Sequence, residues 1–378
     1  MNFLNDIREM TAWDELVANP GSLIMLAIGF LLLFLGIQKR FEPLLLIPIG
    51  FGVLLANLPG SGMAVVSSTE FPELSEQSLT YIAKHHGIMN MLYYSLIKTG
   101  LLPPLIFLGV GAMTDFGPML RNLRLAFFGA AAQIGIFTVL ISAVAIGFTL
   151  PEAAALGIIG GADGPTAIYT AIMLAPHLLG PIAIAAYSYM ALVPVIIPLV
   201  VRFTVSEQEL KINMKAQEKQ FPNKVRIKDM RRLKIIFPIV LIVVVAFFVP
   251  TSVPLVGLLL FGNLVKEIGA DTVRLFRAAS ETIMNTATIF LGLTVGATMT
   301  ASSFLNGQTL LIVLGGFLAF AISIAGGIFA VKLYNLFSKK KINPLIGATG
   351  LSAVPMASRV ANEIALKHDP GNHILQYA

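Results

Sequence analysis

The stretch "GIIGGADGPTAIYT", Gly157 to Thr170, decides how this chain is read. It lies in an apolar region, yet it holds four glycines, one proline and one aspartate. Such a segment cannot run as a straight helix, because glycine frees the backbone and proline removes a donor. The surroundings make the break costly. The chain has 378 residues, 56% hydrophobic and 12% charged, with a mean hydropathy of +0.82; a soluble domain carries about 25% charged residues. Apolar runs occur at Ser22–Ile37, Leu125–Leu150, Leu178–Val201 and Leu310–Val331, and runs near 18 residues read as membrane spans. The fold class is therefore all-α and polytopic in a membrane, with about ten spans for this length.

The absence of cysteine excludes disulfides, thiolate chemistry and cysteine-bearing zinc sites. The five histidines (His85, His86, His177, His368, His373) lack metal-ligand spacing and read as loop or interfacial residues. The net charge of +6 is concentrated in a few loops, which makes it a topology signal rather than a nucleic-acid surface. The N-terminus, "MNFLNDIREMTAWDE", is acidic ahead of the first apolar run and is not a signal peptide.

The positive-inside rule orients the spans. Lys39 and Arg40 put the end of the first span inside and the N-terminus outside; Glu70, Glu73 and Glu76 mark an external loop. A third span, Met91 to Met119, is broken by Pro103 and Pro104 and ends at Arg121–Arg124 inside. Arg202 to Lys234 holds ten basic and four acidic residues and reads as a cytoplasmic loop, solvated or serving as a docking surface. Beyond it, Asp271–Glu281 is expected as an amphipathic helix on the membrane surface.

The two halves resemble each other. "IFLGVGAMTDF" (Ile106–Phe116) is echoed by "IFLGLTVGATMT" (Ile289–Thr300), and "IIGGADGPTA" (Ile158–Ala167) by "LIGATGLSAVP" (Leu345–Pro355). The offset is 183 residues from Ile106 to Ile289 and 187 from Ile159 to Ile346. Five spans per half would invert the copies, as in many secondary transporters. The expected organisation is a first membrane repeat over 1–203 with a broken segment at 152–175, a basic loop at 204–234, and a second repeat over 235–378 with a broken segment at 341–365, short of its last span. Irregular backbone at membrane depth survives only where protein or a water-filled cavity satisfies it. Both broken segments are therefore expected to be re-entrant and to meet near the bilayer midplane.

Asp163 is the chemical centre of the first segment. A carboxylate, freed carbonyls and hydroxyls make a hard oxygen site suited to Na⁺, and a charge at mid-bilayer costs at least about 2.5 kcal/mol. An alternative, compatible role is the N-cap of a helix starting at Pro165 or Thr166. The second segment offers Asn343, Thr349 and Ser352, as oxygen donors or as caps and packing residues. Arg359 pairs with Glu363, anchors the interface, or binds an anionic substrate. Tyr187 and Tyr189 are packing residues unless one reaches the site. Asp115 reads as interfacial.

"GIIGGADGPT", "FLGVGAMTDFGPML", "RFEPLLLIPIGFG" and "NPLIGATGLSAVPMASRVAN" resemble the β subunit of the sodium-pumping biotin-dependent decarboxylases, which act on oxaloacetate, methylmalonyl-CoA, glutaconyl-CoA or malonate. The resemblance implies decarboxylation of carboxybiotin carried on a partner subunit, coupled to Na⁺ export. It implies Asp163 as central Na⁺ ligand, Tyr189 in Na⁺ or proton handling, Asn343, Gly347 and Ser352 at or near the Na⁺ sites, and Arg359 at carboxybiotin or in coupling. It also implies carboxyltransferase and biotin-carrier subunits, a small single-span γ-type subunit, a homo-oligomer of β subunits, and a bacterial inner membrane location. Family members continue into a Gly-Pro-Asn-bearing span that is not in this sequence. A sodium-coupled carrier of organic anions is the competing reading, and a purely structural anchor for soluble subunits a third.

Overall fold

The computed structural model describes residues 12, 17–40, 43–66, 74, 76–121, 123–161, 163–221, 229–351, 354–375 and 377. The acidic N-terminus up to Glu15, Glu70 and Glu73, Lys224, Arg226 and Lys228, and Ser352 fall outside them. The described residues are helical and contain no strand.

The helices that matter below are α1 (Pro20–Ile37), α2 (Pro43–Asn57), α3 (Leu79–Leu92), α4 (Leu102–Met113), α5 (Leu123–Ala132), α6 (Ile134–Ile146), α7 (Leu150–Gly157), α8 (Gly164–Leu174), α9 (Leu179–Thr204), α10 (Met214–Gln220), α11 (Met230–Phe248), α12 (Val253–Ile268), α13 (Met284–Ala297), α14 (Gly307–Phe337) and α15 (Val354–His368). Four stretches are long and apolar enough to cross a membrane: Pro20–Ile37, Phe127–Ile146, Pro250–Ile268 and Thr309–Phe337. A fifth is the bent pair Leu79–Ile97 and Leu102–Met113, at 64°. Among the described residues several further apolar helices are shorter, among them Pro43–Asn57, Leu150–Gly161 and Gly164–Leu174. Large apolar side chains cover the outside, Phe337 being 86% and Phe247 82% exposed. A soluble monomer does not expose so much contiguous apolar surface, so this is a multi-pass membrane protein.

The third span breaks where the prolines predict. After α3 comes a π-turn at Tyr93–Ile97, then Gly100 at φ +72, and Pro103 and Pro104 sit in the first turn of α4. Helical structure already begins at Leu79, but Gly87 (φ 81, ψ 172) kinks it, so the segment that leads into the break starts just after Gly87, close to the expected Met91. The surface helix expected at Asp271–Glu281 does not stand alone. Val273–Arg277 runs through a π-turn (Ala278–Ile283) directly into α13. Arg274 and Arg277 gave the stretch its amphipathic look; they sit at the end of a long helix instead.

Two helix pairs pack in the same unusual way. α2 lies on α13 and α12 lies on α4, close enough that glycines are required. A Cβ on Gly52 would come within 2.3 Å of the Leu293 carbonyl oxygen, and one on Gly111 within 1.8 Å of that of Leu259. A buried asparagine finishes each pair: Asn57 Nδ2 donates to Met299 O at 2.7 Å, just past α13, and Asn263 Nδ2 to Thr114 O at 2.8 Å, just past α4. In lipid, where apolar burial between helices contributes little, such close backbone approach and interhelical hydrogen bonds hold a bundle together.

α14, at 31 residues, is the central element. Phe320, Ile324, Ile328 and Val331 are wholly buried, and α9 packs along it with Val193, Ile196 and Ile197. The basic stretch after α9 is not a solvated loop over its first part. Ser206 caps a short helix with Glu209, Leu210 and Met214 are buried, and α10 packs toward the C-terminal residues, where Glu218 Oε2 accepts from the Tyr377 hydroxyl at 2.5 Å.

Candidate functional site

The first broken segment is a re-entrant hairpin. α7 opens with a capping box in which Glu152 accepts from the Thr149 amide at 2.7 Å. The helix runs eight residues, tightens into a 3-10 turn at Ile158–Gly161, and α8 returns over eleven. Glu152 at the entrance lies 2.7 Å from His177 Nε2 beyond the end of α8. The segment thus leaves on the side from which it came. At 1.5 Å per residue α7 and α8 are about 12 and 16 Å long, each too short to cross a ~30 Å hydrocarbon layer.

Asp163 stands at the tip. It is the N-cap of α8, with φ −119 and ψ 97, and Pro165 is in the first turn behind it. Its Oδ1 accepts from the Thr166 amide at 3.4 Å, and the Thr166 hydroxyl donates to Oδ2 at 2.5 Å. The capping role is thus present, and it fixes a half-buried carboxylate where the backbone unwinds. The sequence reading missed Thr166, although Asp-x-x-Thr at a helix start is a legible capping signal.

The second broken segment has the same form from the side of the basic loop. Asn335 on α14 turns the chain by bonding both ways to Ile342, its Nδ2 donating at 2.7 Å and its Oδ1 accepting at 2.8 Å. Residues 342–349 are buried, and α15 leads back out. Entrance and exit share one acceptor: Asn343 Nδ2 and Asn372 Nδ2 donate to Ile212 O at 3.0 and 2.9 Å.

The two hairpins converge on one stretch of α14. Ile159 faces Gly316, and Gly160 packs on Gly135, whose missing Cβ makes room for Ala319 and Ser323. From the other hairpin, Gly347 packs on Gly327; a Cβ there would lie 2.1 Å from the Gly327 carbonyl oxygen. Ser323 and Gly327 are one turn apart, about 6 Å along the axis.

The remaining predicted residues divide into two groups. Tyr189 on α9 is 2% exposed and packs on Gly316 beside Ile159. Its hydroxyl lies beside the Phe317 main chain without a hydrogen bond. Asn343 is wholly buried but committed to main chain: Nδ2 also donates to Leu210 O at 3.0 Å, and Oδ1 accepts from Leu345 N. Thr349 bonds back to Ile346 O at 2.8 Å. Arg359, on the exposed face of α15, has no ion-pair partner among the described residues, and the pairing with Glu363 is not formed. Asp115 belongs to a different group, at 2.6 Å from Lys234 Nζ at the helix ends. Among the described residues no cluster of histidine, aspartate and glutamate could hold a metal ion. A cation at the tip would be held instead by one carboxylate with hydroxyl and carbonyl oxygens.

This arrangement, a carboxylate at the turn of one of two hairpins that pack on α14, coincides with a family match over residues 21–378. The family model of the Na⁺-transporting oxaloacetate decarboxylase beta subunit matches residues 21–378. The chain belongs to that family. It is a membrane subunit of a sodium-transporting decarboxylase. Among its relatives, the oxaloacetate decarboxylase beta chain of Haemophilus ducreyi is 46% identical over 402 residues, covering 95% of this chain and 90% of the relative. The methylmalonyl-CoA decarboxylase subunit beta of Propionigenium modestum is 49% identical over 365 residues, with the same coverage. That of Veillonella parvula is 44% identical, covering 96% and 89%.

Proposed function

We propose that this chain releases CO₂ from carboxybiotin presented by a partner subunit and uses the step to export Na⁺. The observation that carries the reading is the convergence of the two hairpins on α14, one of them tipped by Asp163. Asp163, Thr166 and the carbonyls of the 3-10 turn form the Na⁺ site, a hard oxygen set suited to the ion. Gly347 lets the second hairpin close against α14, Asn343 locks its mouth, and Ser352 adds a hydroxyl oxygen to the Na⁺ sites. The buried Tyr189 phenol, which makes no well-formed hydrogen bond among the described residues, serves Na⁺ or proton handling.

Arg359 fits the carboxylate of the biotin group, since it is an exposed guanidinium not committed to any described anion. When bound, carboxybiotin supplies the CO₂ as its N–C bond breaks, the electron pair staying on nitrogen, which takes up a proton. Arg359 orients the group. The basic side of the chain keeps it on the face where the soluble subunits dock.

Decarboxylation drives transport only if two conformations differ in affinity for Na⁺ and for the biotin group. An elevator-like shift of both hairpins against the helix scaffold provides such a pair. The reciprocal packing of α2 on α13 and α12 on α4 supports two inverted repeats. The distribution of basic residues supports an N-terminus outside, and the family reading supports a bacterial inner membrane. Carboxyltransferase, biotin-carrier and γ-type subunits and further β copies complete the assembly. Relatives named for oxaloacetate and for methylmalonyl-CoA match about equally, which supports substrate choice by another subunit. The test mixes the purified complex with carboxylated biotin protein and measures CO₂ release with and without Na⁺. Release that requires Na⁺ is expected; Na⁺-independent release, or none, contradicts the reading and favours an ordinary sodium-coupled carrier.

A further inference from the structure

We infer that Ser323 is a cation ligand on the translocation path: its hydroxyl, on α14 where the two hairpins converge, coordinates Na⁺ in passage. The inference rests on the reading of the Asp163 hairpin as the Na⁺ site. It starts from an anomaly. Ser323 is wholly buried, and its Oγ has no hydrogen-bond partner among the described residues. Serine and threonine in helices ordinarily bond back to the carbonyl four residues earlier. Elsewhere in this bundle they do so: Ser95 to Met91, Thr138 to Ile134, Thr204 to Val200, Thr288 to Met284 and Thr294 to Phe290, at 2.5 to 2.8 Å. Ser323 forgoes that bond to Ala319.

Its oxygen is turned toward the neighbouring helix. A Cβ on Gly135 would lie 1.7 Å from Ser323 Oγ, so the hydroxyl occupies the place of a side chain at the start of α6. Gly160, in the 3-10 turn before Asp163, packs on the same Gly135; its Cβ would lie 3.0 Å from the Gly135 carbonyl carbon. On the other side, one turn along α14, Gly327 receives Gly347 of the second hairpin. Ser323 thus stands between Gly160 of the first hairpin and Gly347 of the second. Other neutral oxygens line the same glycine contacts between the first hairpin, the start of α6 and α14. Gln133 Oε1 is 4.0 Å from a Cβ placed on Gly161, and the Ala131 carbonyl oxygen 3.6 Å from one placed on Gly326.

A buried hydroxyl left unpaired destabilises the fold, and alanine would pack here without that cost. The group makes chemical sense as a ligand met in another state of the cycle. A neutral oxygen adds no charge, so Asp163 remains the counter-ion and the set still suits a small monovalent cation.

The test uses the assembled complex in proteoliposomes. Ser323→Ala, Asp163→Asn and wild type are compared for the Na⁺ concentration giving half-maximal CO₂ release, for uptake of radioactive Na⁺, and for thermal midpoint. Ser323→Ala is expected to raise the half-maximal Na⁺ concentration about fivefold or more, with a midpoint equal to or above wild type. A half-maximal concentration within twofold of wild type overturns the inference. So does a shift accompanied by a lowered midpoint, which would assign the hydroxyl to holding the fold. The parallel Asp163→Asn arm separates the two claims. Retained Na⁺ stimulation there sinks the parent reading; lost stimulation there with an unchanged Ser323→Ala sinks only this one.

Discussion

Asn343 and Arg359 show how differently two polar residues of one segment are used. Asn343 spends both amide hydrogens on Leu210 and Ile212 carbonyls. Asn343→Ala leaves the buried Leu210 carbonyl without that donor, at about 1–3 kcal/mol, so a lowered thermal midpoint is expected before any change in Na⁺ affinity. Arg359 is exposed. Arg359→Gln should leave stability within about 0.5 kcal/mol while slowing CO₂ release at subsaturating carboxybiotin protein. Steady-state kinetics with varied Na⁺ should give an unchanged half-maximal Na⁺ concentration; a large shift would move Arg359 to the cation site. Asp163 and Asn343 were legible because polar residues at a Gly/Pro break in an apolar chain have few structural excuses. That Asn343 is a main-chain staple, or that Ser323 and Tyr189 make no well-formed hydrogen bond among the described residues, was not. A hydroxyl's partner depends on which helix packs beside it, and that is decided by contacts far away in sequence.

The breaks themselves were readable at the scale of elements, since glycine and proline act through local dihedral angles. The returns were expected from the broken pattern, but the contacts that close them were not: the Glu152–His177 contact and the shared Ile212 carbonyl join residues that no local pattern links. Helix pairing depends on backbone approach. Gly111→Ala and Gly296→Ala, whose Cβ atoms would lie 1.8 and 2.2 Å from carbonyl oxygens, should each cost about 1–3 kcal/mol or more, whereas Gly129→Ala, with nothing within 4 Å, should not. Thermal unfolding in detergent reads the difference, and similar losses at Gly111 and Gly296 would support equivalent halves. The ends of α4, α11 and α12 are clamped by Lys234, 2.6 Å from Asp115 and 3.4 Å from Glu267. Burial works against the Asp115 charge, but the Lys234 hydrogen bond, the Gly117 amide and the nearby lysines outweigh it and hold the carboxyl below 3.8. Its contribution is complete above that value and fades as pH falls through the lowered pKa. Asp115 is half exposed, so solvent screening limits the clamp to under about 1 kcal/mol. The stability gap between wild type and Lys234→Met should therefore be small at neutral pH and shrink in acid; a gap that grew in acid would contradict the assignment.

At the scale of the whole molecule, both hairpins pack on α14. Coupling of CO₂ release to Na⁺ export needs reciprocity: whatever Na⁺ does to affinity for the biotin group, the biotin group does to affinity for Na⁺. The acid decarboxylated elsewhere in the complex need not touch this chain, in keeping with relatives of different substrate and similar identity. The central claim is that one carboxylate at the tip of the first hairpin holds the transported ion. The most direct measurement is the Na⁺ dependence of CO₂ release and of radioactive Na⁺ uptake by the assembled complex carrying Asp163→Asn. Loss of both Na⁺ stimulation and uptake, with assembly and thermal midpoint retained, is the predicted result. Full Na⁺-stimulated turnover in that variant would contradict the account.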